Sequence, residues 1–410
     1  MRILVLNQYF HPDQSATSQL LTELCEDLAR SHAVWVVTGR PSYNPTESTA
    51  SRGLISNESH GLVRVVRVWS TDFSRANMLG RLANYGTYLL SSIAGAFSVP
   101  QPDVVVALTD PPPIGLIGAL VSAVQRRPFV LVTNDIFPDV AIRLGKLSNP
   151  SVIRGLRAMS GLLFRRADRI VSIGRDMDRR LLELGVPPEK IETIHDWSDG
   201  TSVRPLADRS PLRAELGWSD RFVVMHSGNV GLSQSLGTLI DAAALLRHDE
   251  DVLLAIVGDG AAKAGLERRA KVQGLSNVVF LPYQDKGSLS ESLGAADVHY
   301  VGLRRGLAGF IVPSKVYGIL AAGKPFIAAV EQGAEPALIA SEFGCGMVVK
   351  PDDAEALAGA ILRMRGEPLE EMGRRGREAF EERFDRPVAT DAYRRLLERV
   401  ASDKPRIGGA

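Results

Sequence analysis

Arg304, Arg305 and Lys315 fall within one stretch, "LRRGLAGFIVPSKVYGILAAGKP" at residues 303–325. They are expected to converge where a short apolar helix begins. Pro313 and Ser314 open that helix, and Ser314 can cap it. Helix-start amides beside a lysine, acting as a point charge, suit a phosphate. A basic loop with a solvated lysine is the plainer alternative.

Other candidates also follow apolar runs. "HSGNVGLSQSLG" (226–237) places Gly228 and Gly231 where backbone N–H groups can approach an anion, with a helix starting near Ser235. An ordinary glycine turn explains it equally well. "IVGDG" (256–260) offers Gly258, Asp259 and Gly260; Asp259 could simply cap the next helix. Glu335 opens a helix in "EQGAEPALIA", where the dipole favours a carboxylate, and Glu331 stands just before it. In the first half, "NQYFHPDQSATSQLL" supplies His11, Asp13, Gln14 and a helix start at Ser15–Thr17. "TDPPPIG" (109–115) reads as a rigid loop, and "TNDIFPD" presents Asn134, Asp135 and Asp139. A buried aspartate there could serve as a general base. Turns and caps are the simpler reading of each.

Several chemistries are disfavoured. Asp176 and Asp178 form a D-x-D, a pattern that binds metal in some enzymes. Arginines flank it, and a divalent site needs oxygens from more than one element, so no metal site is expected. The seven histidines lack ligand spacing. Neither G-x-x-x-x-G-K-[ST], nor the dinucleotide G-x-G-x-x-G, nor a G-x-S-x-G nucleophile elbow occurs.

These motifs need a scaffold. With 410 residues the chain exceeds one typical core, so two domains are expected. Fully apolar short runs alternate with helical periodicity, which predicts α/β architecture with parallel sheets covered on both faces. The first series runs from Ile3–Leu6 to Ile191–Ile194. The polar, unperiodic stretch 195–211 reads as a linker. A second series runs from Phe222–His226 to Met347–Val349. The expected domains are 1–200 and 206–386, with a final helix over 387–403 returning to the first. "KPRIGGA" reads as a frayed tail. Two doubly wound domains leave a cleft at their strand ends, where ligands bind.

Composition is that of a soluble globular chain, 45% hydrophobic and 23% charged, with net charge +1. Balanced charge and the absence of a binding module argue against nucleic acid. Cys25 and Cys345 cannot build a disulfide framework, so a reducing, cytoplasmic setting is expected. "MRILVLNQYF" reads as a buried strand rather than a leader, and the longest apolar run, 114–124, is too short to span a bilayer. Between Arg143 and Arg180, ten Lys and Arg meet three Asp. That region and the stretch 74–97 are amphipathic and basic, which suits an anionic membrane surface. Packing on the sheet is the alternative.

Taken together, "SGNVGLSQS", "IVGDG", "AAGKP", "PDDAEALAGAIL" and "EEMGRRGREAFEERF" resemble glycosyltransferase family 4, the retaining GT-B enzymes that use nucleotide sugars. "VWVVTGRPSYNP", "TDPPPIGL", "NDIFPDVAIRLGKL" and "IHDWSD" resemble a branch with colanic-acid-type and N-acetylfucosamine-type transferases. The resemblance implies two facing Rossmann-like domains and metal-independent, cofactor-free sugar transfer. It further implies a UDP-sugar donor and a lipid-linked saccharide acceptor at the inner face of the cell membrane.

The sequence departs from the family at several places. The family's paired glutamates fall on Phe310 and Gly318, its turn arginine and lysine on Asn229 and Gln234, and its first-loop Gly-Gly on Ser15 and Ala16. The expected compensation puts Lys315 and the helix start from Pro313 on the diphosphate, helped by Asn229 and Gln234. Glu335 takes the ribose hydroxyls, with Glu331 as runner-up. Gly228, Gly258, Tyr283 and Arg305 complete the donor side, and Ser15 and Ala16 close over the diphosphate. Asp135 handles a sugar hydroxyl or the acceptor proton, with Asp13 as rival base. A GT-B nucleotide-sugar epimerase and a non-catalytic nucleotide-sugar-binding protein are the competing readings.

Overall fold

The computed structural model describes residues 1–13, 15–41, 53–73 and 78–403; Gln14 and the tail "KPRIGGA" lie outside the described residues. In the first domain the apolar runs form β1 (Arg2–Leu6), β2 (Ala33–Thr38), β3 (Ile55–His60), β4 (Val63–Val68), β5 (Val104–Leu108), β6 (Phe129–Thr133), β7 (Arg169–Ser172) and β8 (Ile191–Thr193). Their order across the sheet is β3-β4-β2-β1-β5-β6-β7-β8. Every residue of β5 and β6 is buried, as strands covered on both faces require. β3 was not foreseen. Its sequence, ISNESH, carries no apolar run, and it pairs antiparallel with β4 at the sheet edge, where polar side chains face water.

Helices α1 (Ala16–Ala29), α2 (Met78–Ser98), α3 (Ile114–Gln125), α4 (Asp139–Arg143), α5 (Pro150–Arg166) and α6 (Arg175–Glu183) cover this sheet. The second domain has six parallel strands: β9 (Phe222–Ser227), β10 (Val252–Val257), β11 (Val278–Leu281), β12 (Val298–Gly302), β13 (Phe326–Ala329) and β14 (Gly346–Val349). Their order is β11-β10-β9-β12-β13-β14. Around them lie α7 (Pro211–Glu215), α8 (Leu236–Leu245), α9 (Lys263–Val272), α10 (Leu289–Gly294), α11 (Lys315–Ala321), α12 (Glu335–Phe343), α13 (Ala354–Met364) and α14 (Leu369–Arg383). Strand order reverses between β1 and β5 and again between β9 and β12. These switch points are where open parallel sheets leave a crevice.

Two features join the domains. α15 (Arg386–Asp403) leaves the second domain and buries Ala389, Tyr393, Leu396, Leu397 and Val400 against Val5, Leu24 and Leu28 of the first. Arg386 secures its start through Asp27, Glu26 and Asp199. The stretch expected as a linker is also packed. Trp197 is buried and donates from Nε1 to Glu23 at 2.8 Å, and the Val203 carbonyl accepts from Arg377 at 3.1 Å. One apolar core continues across the seam, from Ile173, Met177 and Leu181 to Phe310, Val312 and Ala337.

Glycine is obligatory where the β9 and β10 loops meet. Gly258 has φ +133°, and a Cβ there would lie 1.9 Å from the Gly228 carbonyl oxygen. We expect Gly258→Ala to cost about 2 kcal/mol or more in urea unfolding. Gly287→Ala, with nothing within 4 Å of the added carbon, should cost less than about 0.5 kcal/mol.

Candidate functional site

The second-domain side of the crevice is built on β9, β12 and β13. After β12 the chain turns through Arg304–Val312 and enters α11 at Lys315. This brings the half-buried Lys315 back over the β9 end. Its Nζ lies 3.2 Å from both ring nitrogens of His226 and donates to Gln234 Oε1. A Cβ on Gly228 would sit 3.9 Å from Lys315 Cε, so the lysine stem lies against the glycine turn. Both polar partners are neutral. Burial pushes the Lys315 ammonium down to about 7. Burial and Lys315 together hold His226 well below the usual histidine range. His226 Nε2 faces the Asn229 carbonyl at 3.3 Å, which leaves Nδ1 to accept from the lysine. An anion would supply the counter-charge that Lys315 lacks in these contacts. His226 was missed in the sequence because it reads as an ordinary strand residue; only its position opposite Lys315 gives it a role.

The other donor-side candidates separate. Asn229 is exposed at the same turn, and Tyr283 stands at the end of β11, its hydroxyl 3.3 Å from the Asp259 carbonyl. Arg305 does not join Lys315: its guanidinium donates to the Pro351 carbonyl at 3.3 Å. Pro313 is buried. Ser314 stands at the N-cap of α11 but makes no capping bond through its side chain, because its own backbone is already helical. Gly318 is not imposed by crowding, since the nearest atom to an added Cβ is Leu293 Cδ1 at 3.9 Å.

The expected role of Glu335 is corrected. It is fully buried, and its oxygens accept from Arg175 N at 2.7 Å, Arg175 Nε at 3.0 Å and His195 Nε2 at 3.1 Å. Burial alone would raise this carboxyl, yet His195 and Arg175 outweigh it and hold it near 2. Its lone pairs are committed to the first domain, which leaves none for a ribose. Glu331 remains: half-buried at the β13 end, it takes the Gly306 N–H at 3.2 Å.

Of the D-x-D motif, Asp176 belongs to the same interdomain clasp and Asp178 stays within the first domain. Asp176 accepts N–H groups from Gly309 at 3.0 Å and Glu335 at 3.2 Å, whereas Asp178 binds Ser172 and, at 2.6 Å, Thr193. Both aspartates are structural. Among the described residues no cluster of three or more His, Cys, Asp or Glu could hold a metal. Phe310, at the position of one family glutamate, is an interdomain anchor, with the Arg143 and Arg180 guanidiniums 4.2 and 5.0 Å from its ring centre. The basic stretch 143–180 is therefore not one free surface. Its α6 arginines bind the second domain, Arg179 through the Gly333 carbonyl and Arg180 through that of Ala308.

On the first-domain side, Asp135 follows β6 and pairs its backbone with Ile311, while Ile136 N donates to the Phe310 carbonyl at 2.9 Å. Asp135 is thus placed at the seam, beside the segment that leads into Lys315. Burial, reinforced by Asp110, pushes its carboxyl up to about 7. Asp13 is 5% exposed in the β1–α1 loop. Ser15 caps α1 by accepting from Ser18 N at 3.2 Å, and Ala16 is the first residue of that helix.

Comparison with known proteins agrees with this layout. Residues 16–197 match the model of the glycosyl transferase 4-like domain, and residues 208–380 match that of the glycosyl transferases group 1. WcaI of Escherichia coli (strain K12), named as a colanic acid biosynthesis glycosyl transferase, is 30% identical over 88% of this chain and 91% of its own. The probable glycosyltransferase WbjE of Pseudomonas aeruginosa is 28% identical over 73% of this chain and 76% of its own. The crystal structure of Anabaena HepE, in complex with UDP and glucose, superposes with a TM-score of 0.74 at 19% identity. That match covers 97% of this chain and 99% of HepE, and it shows the GT-B fold.

The clasp has a pH signature. The Glu335 carboxyl is held lower in the folded chain than in the unfolded one, so its stabilisation is present above about pH 4.5 and fades as pH falls toward 2. Glu335→Gln should cost about 1–3 kcal/mol at pH 7, since it removes charged hydrogen bonds to Arg175 and His195 while Arg175 keeps Glu342 at 2.6 Å. Urea unfolding followed by tryptophan fluorescence should also show a flatter acid limb for the variant.

Proposed function

Because the chain belongs to family 4 of the GT-B glycosyltransferases, we propose that it transfers a sugar, with retention of configuration, from a UDP-sugar to a lipid-linked saccharide during synthesis of a bacterial surface polysaccharide. The observation that carries this reading is the seam itself. Asp135 of one domain is backbone-paired to the segment that delivers Lys315 of the other. A cation without an acidic partner and a carboxyl of raised pKa thus lie on two segments that meet at this pairing.

The chemistry follows from these groups. As the bond between the sugar and the diphosphate breaks, negative charge grows on the departing oxygen. Lys315 and the amides at the α11 start meet it without reorganising, and no metal is needed for that neutralisation. Asn229 and Gln234 add neutral hydrogen bonds, and Glu331 accepts the ribose hydroxyls. The acceptor hydroxyl enters on the face that UDP leaves, so no protein nucleophile takes part. A carboxyl near 7 at Asp135 can exchange a proton with a hydroxyl held beside it.

A lipid-linked acceptor requires a surface that meets a bilayer. No described helix is long and apolar enough to cross a membrane. α3 touches both α2 and α5, and Leu90, Val124, Val152 and Leu162 on these helices are exposed. Lys146, Arg154, Arg165 and Arg166 are exposed around α5. This narrower patch supports peripheral binding to the cytoplasmic face of an anionic membrane.

The test is incubation with labelled UDP-sugars and bacterial membrane lipid extract. Label should pass to the lipid phase. Isomerised sugar without lipid would indicate an epimerase, and binding alone a non-catalytic protein. Calorimetry should show UDP-glucose affinity falling as pH rises from 6 to 8.5, by up to about tenfold. The sign follows from Lys315 losing its proton through about 7 while the diphosphate diester carries no group that titrates there. Lys315→Ala should weaken binding about tenfold or more at pH 6 and abolish the pH dependence. Reversing Arg165 and Arg166 to Glu should remove salt-dependent association with phosphatidylglycerol liposomes; unchanged association would exclude α5 as the docking face.

A further inference from the structure

A buried charge is costly unless it is paired, so a buried guanidinium that no carboxylate answers calls for an explanation. Arg127 is 8% exposed, and its Nε is shut off from water and meets no acceptor. Among the described residues its guanidinium forms no ion pair. Ser122 holds only the backbone here. Its carbonyl accepts from Arg127 N at 2.9 Å, and its Oγ donates to the Arg127 carbonyl at 2.5 Å.

Arg127 lines a depression of about 330 Å³ together with Met1, His32, Asp103, Glu398 and Ser402. Met1, His32, Asp103 and Arg127 stand just before β1, β2, β5 and β6. The depression therefore opens at the amino ends of these strands, whereas the donor crevice lies beyond their carboxyl ends. The length of a five-residue strand separates the two, about 17 Å. Glu398 and Ser402, near the end of α15, close the remaining side. The acids of this lining already have partners. Glu398 accepts from Arg394 at 3.0 Å and faces His32 Nε2 at 3.1 Å, and Asp103 accepts from Arg2 N at 2.7 Å. His32 Nδ1 is the other buried atom of the lining without a partner. Gln125 Oε1 is in the same condition nearby in the chain, but Gln125 does not line the depression.

An anion in the depression would supply the missing counter-charge. The planar fork of an arginine grips a carboxylate or a phosphate through two parallel hydrogen bonds. Asp103 and Glu398 would repel a ligand charged on every side, and together with the unpartnered His32 nitrogen they favour hydroxyl groups around the anionic head. A metal is disfavoured by the arginine and by the lack of a ligand cluster among the described residues. The volume is at the small end for ligand pockets and suits a molecule the size of one monosaccharide. We propose that this depression binds a small hydroxylated anion, a sugar phosphate or a sugar acid, at a site separate from the donor crevice. The bound anion bridges the start of β6 to α15, the helix that fastens the second domain to the first. It thereby stabilises the docking of α15 without touching the reacting groups.

Thermal unfolding of the wild type and of Arg127→Met, with glucose 6-phosphate, glucuronate, inorganic phosphate or glucose, tests the site. Glucose 6-phosphate or glucuronate should raise the wild-type Tm by about 2–4 °C at saturation and move that of Arg127→Met by less than about 0.5 °C. The larger of the two shifts tells a phosphorylated ligand from a carboxylate. Inorganic phosphate, lacking the hydroxyls, should bind about tenfold more weakly than glucose 6-phosphate, and uncharged glucose should leave Tm unchanged. UDP affinity by calorimetry should be equal in both proteins, because Arg127 stands away from the donor crevice. If Arg127→Met does not fold, Arg127→Lys, which keeps the charge and loses the fork, decides by an affinity reduced about tenfold. The site is overturned if no anion stabilises the wild type, or if wild type and variant respond alike, as they would to anions gathered at Lys315. An Arg127-dependent response to inorganic phosphate as strong as that to glucose 6-phosphate overturns the sugar class, and a UDP affinity altered by Arg127→Met overturns the separation from the donor crevice.

Discussion

Glu335 carries a charge in the interior between two domains, and that charge must be answered from the opposite side of the seam. Arg175 and His195 answer it, while Asp176 reaches back to take the N–H of Glu335 and that of Gly309. A half-made version of this exchange would leave an ion desolvated and unpaired, so the contacts form together or not at all. The clasp fixes where the Gly309–Val312 segment lies against the first domain. That segment carries Ile311 to Asp135 and then runs into Lys315. The placement of that segment against the first domain is therefore held by an ion pair some distance along the chain from Lys315.

Burial tunes two groups toward neutrality from opposite directions. The Lys315 ammonium and the Asp135 carboxyl are each shifted to about 7. Lys315 has His226 and Gln234 as neutral neighbours; Asp135 has the charge of Asp110 nearby. An anion beside Lys315 would favour its charged form, since neither neighbour supplies a counter-charge.

The departures from the family pattern acquire physical reasons. Phe310 stands at one glutamate position and fills the interdomain core under two arginine guanidiniums. Gly318 leaves unoccupied room where the other glutamate would stand. Glu335 is spent on the clasp, whereas Glu331, at the β13 end, accepts only the Gly306 N–H among the described contacts.

The sequence by itself determined the two-domain parallel architecture, all six strands of the second sheet and the family. These are local properties: unbroken apolar runs and glycine at strand ends. It did not reveal β3, whose polar residues gain strand structure only from pairing with β4. It placed Glu335 ahead of Glu331 for the ribose, because a helix-start acid reads as favoured by the dipole whatever faces it. Only the tertiary structure decided that Glu335 faces an ion-pair partner 160 residues away in the chain. His226, Arg127 and the interdomain use of the α6 arginines were hidden for the same reason. A residue's charge state and available lone pairs depend on its neighbours in space, and those are chosen by packing between elements that the linear order keeps far apart.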